Sequence, residues 1–362
     1  MALTFVVFWS IILFSEVHLR GRLSIMQVVK KYAPGIIVAM AVAAVSKFLE
    51  SLLPIHIIGA SVIALFIGMI INNFWHPAWL KAGLTFTSKK ILKFAIILLG
   101  LSLSIKTVIN VGKMSLIVMV FTLFTCFGVG YFVGKFLKLN WKTSNLISAG
   151  TGICGGSAIA ALAPVIDADD MDIAYAMSAT FLFDMVMILC FPLMGEWLGL
   201  SDMAYGLWTG TAVNDTSSVV AAGFAYSEAA GDFATMVKLT RTLSIIPVVL
   251  IFAVINTRLK QKQSGVSGER TKVKFTKLFP WFILGFLAMA IINSIGIVPA
   301  VVSGGAKDIS KFLMVSALAA IGLNTNFKKM AKSGARPMLH GFIISALVVI
   351  VAIAVEYAMG IV

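Results

Sequence analysis

The sequence predicts an all-α polytopic membrane protein of about 11 (10–12) transmembrane segments, with two internal inverted repeats and two broken or re-entrant helices. Three observations lead there. Sixty per cent of the 362 residues are hydrophobic, 12% are charged and the mean hydropathy is +1.00. Soluble domains carry roughly 45–50% apolar and about 25% charged residues, so this chain needs lipid as its solvent. Apolar runs of membrane-crossing length recur along it, and two pairs of those runs resemble one another.

An α-helical span needs about 20 apolar residues. Runs that supply them lie at 34–53, 56–75, 91–110, 114–134, 146–165, 172–198, 204–225, 233–256, 278–299, 308–326 and 338–361. A shorter run at 2–14 has no basic residue before it and is followed by Arg20 and Arg22. A cleaved signal has the reverse layout, so this run reads as a short anchor with its N-terminus outside. The chain divides into 1–32 (anchor and cytoplasmic loop), 33–256 (a first transmembrane part), 257–277 (a polar cytoplasmic linker) and 278–362 (a second transmembrane part).

The formal net charge of +14 does not point to nucleic acid, because the basic residues alternate between loops. They gather at Lys30 and Lys31, Lys81 to Lys90, Lys135 to Lys142, Arg258 to Lys277 and Lys328 to Arg336, whereas the loops near 54, 167 and 303 carry few or none. That is the positive-inside pattern, which places the basic loops in the cytoplasm. Cys126, Cys154 and Cys190 lie inside apolar runs without C-x-x-C spacing, which predicts neither a disulfide framework nor a zinc site. His18, His56, His76 and His340 fall near span ends at no ligand spacing and read as interface residues.

"SAGTGICGGSAIAAL" (148–162) contains a G-x-G-x-x-G in Gly150, Gly152 and Gly155, with Asp170 further on. The spacing is that of a dinucleotide fingerprint. A second stretch, "GLWTGTAVNDTSSVVAAGFAY" (206–226), answers it at a constant offset of 60. Gly150-Thr151 meets Gly210-Thr211, Ser157 meets Ser217, Asp172 meets Asp232 and Thr180 meets Thr240. In the second copy the later glycines become Ala212 and Asp215. A dinucleotide site needs those glycines for backbone approach, so the shared pattern is not that fingerprint. "SKKILKFAIILLGLSLSIK" (88–106) likewise matches "SKFLMVSALAAIGLNTNFK" (310–328) at an offset of 222, and "IIN" at 70–72 matches 291–293 with a one-residue slip. Such repeats are a signature of secondary transporters.

Loop charge parity holds if 146–165 and 204–225 both cross the membrane or neither does. Only if neither crosses do all matched pairs run antiparallel, which favours re-entrant segments from opposite faces, broken at 150–156 and 214–217. Unwound backbone survives at that depth only beside protein or a watery cavity, and half-helix N-termini offer N–H groups to an anion. The candidate substrate ligands are therefore Gly150, Thr151, Cys154, Gly155, Gly156 and Ser157 from the first break, and Asn214, Asp215, Thr216 and Ser217 from the second. Charges in mid-membrane are costly and point to function. Arg241 joins the substrate set on that ground, and Asp215, Asp184 and Lys238 form a coupling set. The bland alternatives are snorkelling for Lys238 and Arg241, a helix cap for Asp215, a protonated buried acid for Asp184 and back-bonding hydroxyls for the Ser and Thr residues. Glu228, Asp232 and the run Asp167, Asp169, Asp170 and Asp172 read as solvated external loop.

"GTGICGGSAIAALAPVI", "FLF" before Asp184, "GLWTGTAVNDTSSVVAAG" and "VKLTR" resemble the sulfate exporter family, a bacterial inner-membrane family grouped with the sodium/proton antiporters and bile-acid symporters. "LLGLSLSIKTV" also resembles a segment of the bile-acid symporters. The resemblance implies inverted repeats with crossed discontinuous helices beside a panel domain, and export of sulfate or a related anion. The chain departs from the family pattern at Asn214, where a histidine is expected, and at Asp184, where an amide is. The expected protein is a secondary transporter of a small anion, coupled to a proton or sodium ion, embedded in the bilayer and compatible with a homo-oligomer. It needs no metal or other cofactor, no nucleic acid and no catalytic residue. A carrier of organic carboxylates and, more distantly, a membrane-embedded enzyme are the competing readings.

Overall fold

A computed structural model describes residues 25–52, 60–75, 77–264, 280–325 and 334–362, and among these every regular element is helical. The helices are α1 (Ile25–Leu52), α2 (Ala60–Phe74), α3 (78–102, a continuous run of several helical turn types), α4 (Ile105–Phe136), α5 (Trp141–Ala149), α6 (Gly156–Leu162), α7 (Asp170–Trp197), α8 (Asp202–Ala212), α9 (Thr216–Tyr226), α10 (Glu228–Thr242), α11 (Ile245–Ser264), α12 (Trp281–Ser294), α13 (Ala300–Asn324) and α14 (Ala335–Ala358). The apolar run at 2–14, its flanking arginines, His18, His56, His76 and most of the 257–277 linker lie outside the described residues.

Local sequence sets the starts of the central helices. Asn140, Asp169, Ser201, Asp215 and Ser227 are N-caps whose side chains accept a backbone N–H from the first turn. These residue types are the preferred caps because their short side chains reach those unpaired donors. Among the described residues, five stretches are long and apolar enough to cross a membrane: Val29–Leu52, Ile105–Phe136, Met171–Trp197, Glu228–Leu259 and Ala335–Ala358. The expected count of about 11 is therefore not what helix length gives. Ala60–Phe74 and Trp281–Ser294 are shorter apolar helices, and α13 carries Lys307, Asp308 and Lys311.

The interrupted helix α3 and the two broken segments make up the rest of the difference, and each broken segment is a hairpin whose ends lie together. At the first, Lys142 Nζ donates to Asp167 O at 2.6 Å and Thr143 Oγ1 donates to Asp172. Asn256 Nδ2, near the end of α11, donates to Val165 O at 2.9 Å and to Asp167 Oδ2 at 2.7 Å. At the second, Ser227 Oγ donates to Asp202 Oδ1 at 2.6 Å and Tyr226 OH to Leu200 O at 2.5 Å, while Tyr226 stacks on Tyr205. The helical stretch from Glu228 to Leu259 connects the mouth of the second hairpin to the mouth of the first, so the hairpins enter from opposite ends of the molecule.

This geometry corrects three expectations. Asp167 lies against Lys142 and Asn256, and although Asp167 and Asp169 are exposed, Asp172 is buried and not solvated. Asp232 is buried too, paired with Lys307 at 2.7 Å instead of solvated. His340 is no interface residue: it is fully buried, with Nε2 3.2 Å from Ser144 Oγ, beside Gly134.

Helices α1–α3, α12 and α13 pack mainly with one another, and so do α4–α11 and α14. Within the first group the contacts follow the sequence offsets. α3 and α13 start after Pro77 and Pro299 and end at Ser102 and Asn324, both 222 residues apart. Asn72 Nδ2 donates to Thr325 O at 2.5 Å, closing the end of α13, and the matching Asn293 donates to Leu103 O at 3.3 Å, closing the end of α3. A Cβ on Gly322 would collide with Leu65 O, and one on the matching Gly100 would collide with Phe286 O. Leu65 and Phe286 are themselves matched, at an offset of 221.

Gly322→Ala is expected to lower stability by about 1–3 kcal/mol through overpacking, read as a lower melting midpoint in detergent. Gly304→Ala, at a position with open space around it, should leave the midpoint unchanged. The hairpins predict labelling as well. Ala168→Cys should react with an impermeant maleimide from the same face as Lys138→Cys, and Leu198→Cys from the opposite face. Labelling of Ala168→Cys and Lys138→Cys from opposite faces would show that the first segment crosses.

Candidate functional site

The helix breaks fall where the glycine and N-D-T motifs stand. After α5 the backbone widens into a π-type turn over Gly150–Cys154, closed by Gly155 N donating to Gly150 O at 2.9 Å. Gly155 then adopts φ 65°, ψ −135° before α6 begins, a conformation that L side chains rarely reach. In the second hairpin α8 ends at Ala212 and α9 begins at Thr216, with Val213 extended, Asn214 outside either helix and Asp215 as N-cap. Gly155 and Asp215 are the caps of the returning half-helices and are matched at the offset of 60. They touch: a Cβ on Gly155 would lie 2.8 Å from Asp215 Oδ1. The hairpins meet tip to tip.

Breaking a helix frees carbonyls at one side of the break and N–H groups at the other. Cations take the carbonyls. Lys238 and Arg241, at i and i+3 on one face of α10, are both fully buried. Lys238 Nζ donates to Val213 O at 2.9 Å. Arg241 donates from Nε to Gly152 O at 2.7 Å, from one terminal nitrogen to Thr151 O at 2.8 Å and from the other to Val213 O at 3.4 Å. One guanidinium thus fastens both tips. Carboxylates take the N–H groups. Asp184, fully buried on α7, accepts from Asn214 N and Asp215 N, each at 3.0 Å. Asp215 accepts from Ser217 N at 2.9 Å and from Ser217 Oγ.

The sequence-predicted residues therefore come together but divide into two kinds. Gly150, Thr151, Cys154, Gly155, Asn214, Ser217 and Arg241 are buried and build the tips, as are the coupling candidates Asp184 and Lys238. Gly156, Asp215 and Thr216 are half-buried, and Ser157 is exposed. Thr211 back-bonds to Leu207 O at 2.7 Å and stays within its own helix. One participant, Ser345, carried too little sequence signal to be singled out. Ser345 on α14 lies 3.5 Å from both Thr151 Oγ1 and Asn214 Nδ2, while Asn214 Oδ1 is buried without a partner. Glu356 is fully buried in the same helix with both carboxyl oxygens unpartnered; a lone acid in an apolar run was the signal available for it. Among the described residues no group of three or more His, Cys, Asp and Glu is placed to hold a metal ion.

Residues 34–341 match the family model described as conserved hypothetical protein 698. The chain belongs to that family. Its relatives in the family are named as membrane proteins. It is 57% identical over 340 residues to the UPF0324 membrane protein of Clostridium tetani, covering 92% of this chain and 99% of that one. It is 41% identical over 336 residues to a UPF0324 membrane protein of Streptococcus pyogenes serotype M18, covering 91% and 97%. The Streptococcus mutans protein of the same name is 40% identical over 336 residues, covering 90% and 97%. With its apolar helices, this family member is a multi-pass membrane protein.

Arg241→Met removes the donor set of three buried carbonyls. Leaving buried polar groups unpaired costs about 1–3 kcal/mol each, so this variant should show a clearly lowered melting midpoint in detergent, and Asp184→Leu should behave alike. An unchanged midpoint in Arg241→Met would mean that the guanidinium does not hold the tips.

Proposed function

We propose that this UPF0324 family member is a secondary active transporter of the bacterial inner membrane that exports a small anion by alternating access, with coupling to a proton or cation. Sulfate, or a related sulfur oxyanion or sulfonate, is the substrate class. The observation that carries the reading is the contact of Gly155 with Asp215, where hairpins from opposite ends of the molecule meet among four ionisable side chains. Discontinuous helices that meet away from both faces are the usual site architecture of secondary transporters, and irregular backbone at that depth otherwise has no reason to exist.

Charge balance supports the coupling. Lys238 and Arg241 against Asp184 and Asp215 cancel when all four are ionised. An anion entering such a place leaves an uncompensated charge, which is costly in a low-dielectric interior, unless a proton or cation enters with it. Asp215 is the acid assigned to that role because it is half-buried whereas Asp184 is fully enclosed. The accessible group of Gly156, Ser157, Asp215 and Thr216 would touch the substrate. The buried group would hold the tips.

One observation favours organic carboxylates as a second substrate class: the first N–H groups of α9 and its break already bind two carboxylates, from Asp184 and Asp215. We read the protein as a carrier and not an enzyme, so substrate should be recovered chemically unchanged.

The test is efflux of radiolabelled sulfate from proteoliposomes, with and without an imposed pH gradient or sodium. The wild-type protein should show efflux that responds to one of these gradients by tenfold or more. Asp215→Asn, which mimics a permanently neutral acid, should lose that response. If sulfate, sulfite and sulfonates all stay inside, the substrate class is wrong and carboxylates are the next panel. If Asp215→Asn responds as the wild type does, the coupling role is wrong.

A further inference from the structure

The two helix groups touch sparsely, and at one end they are tied by ion pairs. Lys307 Nζ on α13 lies 2.7 Å from Asp232 Oδ2 and 3.9 Å from Glu228 Oε2 on α10. Lys311 on α13 pairs with Glu228 and sits over the Phe224 ring of α9 at 6.0 Å. These contacts lie at the mouth of the second hairpin and join the α12–α13 group to the hairpin group.

The residues of this tie are the ones that the internal matches duplicate. Lys311 corresponds to Lys89 on α3 at the offset of 222, and Asp232 corresponds to Asp172 on α7 at the offset of 60. The packing of α3 and α13 follows the same offset, down to the capping asparagines and the contact glycines. Yet the duplicates are apart. Lys89 is exposed and, among the described residues, no carboxylate lies within 4.0 Å of it. Asp172 is buried at the mouth of the first hairpin, held through Oδ1 by Thr143 and more distantly by Asn140, while Oδ2 is buried without a partner. One end of the boundary is latched and the other has the parts of a latch that are not engaged.

We propose that Lys89 and Asp172 form the counterpart latch, which closes the first-hairpin end of the boundary when the second-hairpin end opens. The proposal rests on the transport reading, since in a carrier of matched halves the halves exchange arrangements between the two access states. The structure is then the state open toward the first hairpin, shut at the second by Lys307 and Lys311. Weak, partly exposed ion pairs suit this task, because each must break once per cycle. Asp172 loses little by turning to Lys89, since its unpartnered oxygen is already available.

Crosslinking tests the pairing without any transported substrate. In full-length protein with Cys126, Cys154 and Cys190 replaced by Ala, Lys89→Cys/Asp172→Cys and Glu228→Cys/Lys311→Cys are oxidised in membrane vesicles. Both pairs should crosslink, and prior closure of the Glu228→Cys/Lys311→Cys disulfide in the fourfold variant should cut the Lys89–Asp172 yield at least fivefold. A Lys89–Asp172 pair that never crosslinks, or whose yield ignores the other disulfide, overturns the proposal. So does a Glu228–Lys311 pair that does not form. Variants are compared only where size exclusion shows a monodisperse peak. If the cysteine pair fails that check, the charge swap Lys89→Asp/Asp172→Lys serves instead. It should restore at least half of the transport lost in Lys89→Asp alone, and failure to do so overturns the latch. The two readings fail separately: exclusive crosslinks in a protein that moves no sulfate leave the latch standing, and gradient-driven sulfate efflux with independent crosslinks leaves only the carrier.

Discussion

The buried guanidinium of Arg241 is the interaction on which the centre of this molecule depends. Two hairpins arrive from opposite ends and each stops short, leaving carbonyls and N–H groups with no helical partner. Arg241 is bound to Thr151 O and Gly152 O of one tip and to Val213 O of the other. Among the described residues no backbone hydrogen bond links the tips directly, and the guanidinium, from a helix outside both, holds them together. A planar fork presents five donors in fixed directions and suits this task, whereas an ammonium offers three donors from one point at the end of a flexible stem. Lys238 accordingly serves a single carbonyl, Val213 O.

The charges of the core follow from the breaks. A lysine, an arginine and an aspartate with almost no solvent exposure would each be expensive in an apolar interior, and a continuous helix would give them nothing to bind. A helix end carries partial charge of defined sign, so cations belong at the ends of α8 and the first hairpin's π-type turn, and carboxylates at the start of α9. The same groups that make the break tolerable leave the centre with balanced charge. That makes it responsive to any ion that enters.

Much of this was legible in the chain. The breaks were written in residues that do not continue a helix, glycines at 150–156 and N-D-T at 214–216, and the charged residues of the centre stood out against an apolar background. The hairpin geometry followed only from pairing arguments, and the contacts that establish it, such as Lys142 to Asp167 and Ser227 to Asp202, link residues of ordinary loop composition. What the sequence concealed is the partner of each charge. Arg241 was read as a substrate ligand, but its three acceptors are backbone carbonyls, and a carbonyl leaves no mark in a sequence. Asp172 and Asp232 looked like loop acids for a similar reason, since burial at a hairpin mouth is set by helices far away in the chain.

The matched positions show where likeness had to stop. Asn72 and Asn293 close the ends of each other's neighbouring helices, and Gly322 and Gly100 admit the same close carbonyl approach. At these places the two copies can be chemically alike because they are far from one another. Gly155 and Asp215 are matched too, but they face each other across the meeting of the tips. Any side chain at 155 would enter the space of the Asp215 carboxylate, and a second aspartate would also set two like charges in contact where like charges disfavour one another's ionisation. One copy must therefore be glycine if the other is an acid. The single carboxylate left at that junction breaks the equivalence of the two hairpins, because one returning half-helix is capped by an acid and the other by a glycine.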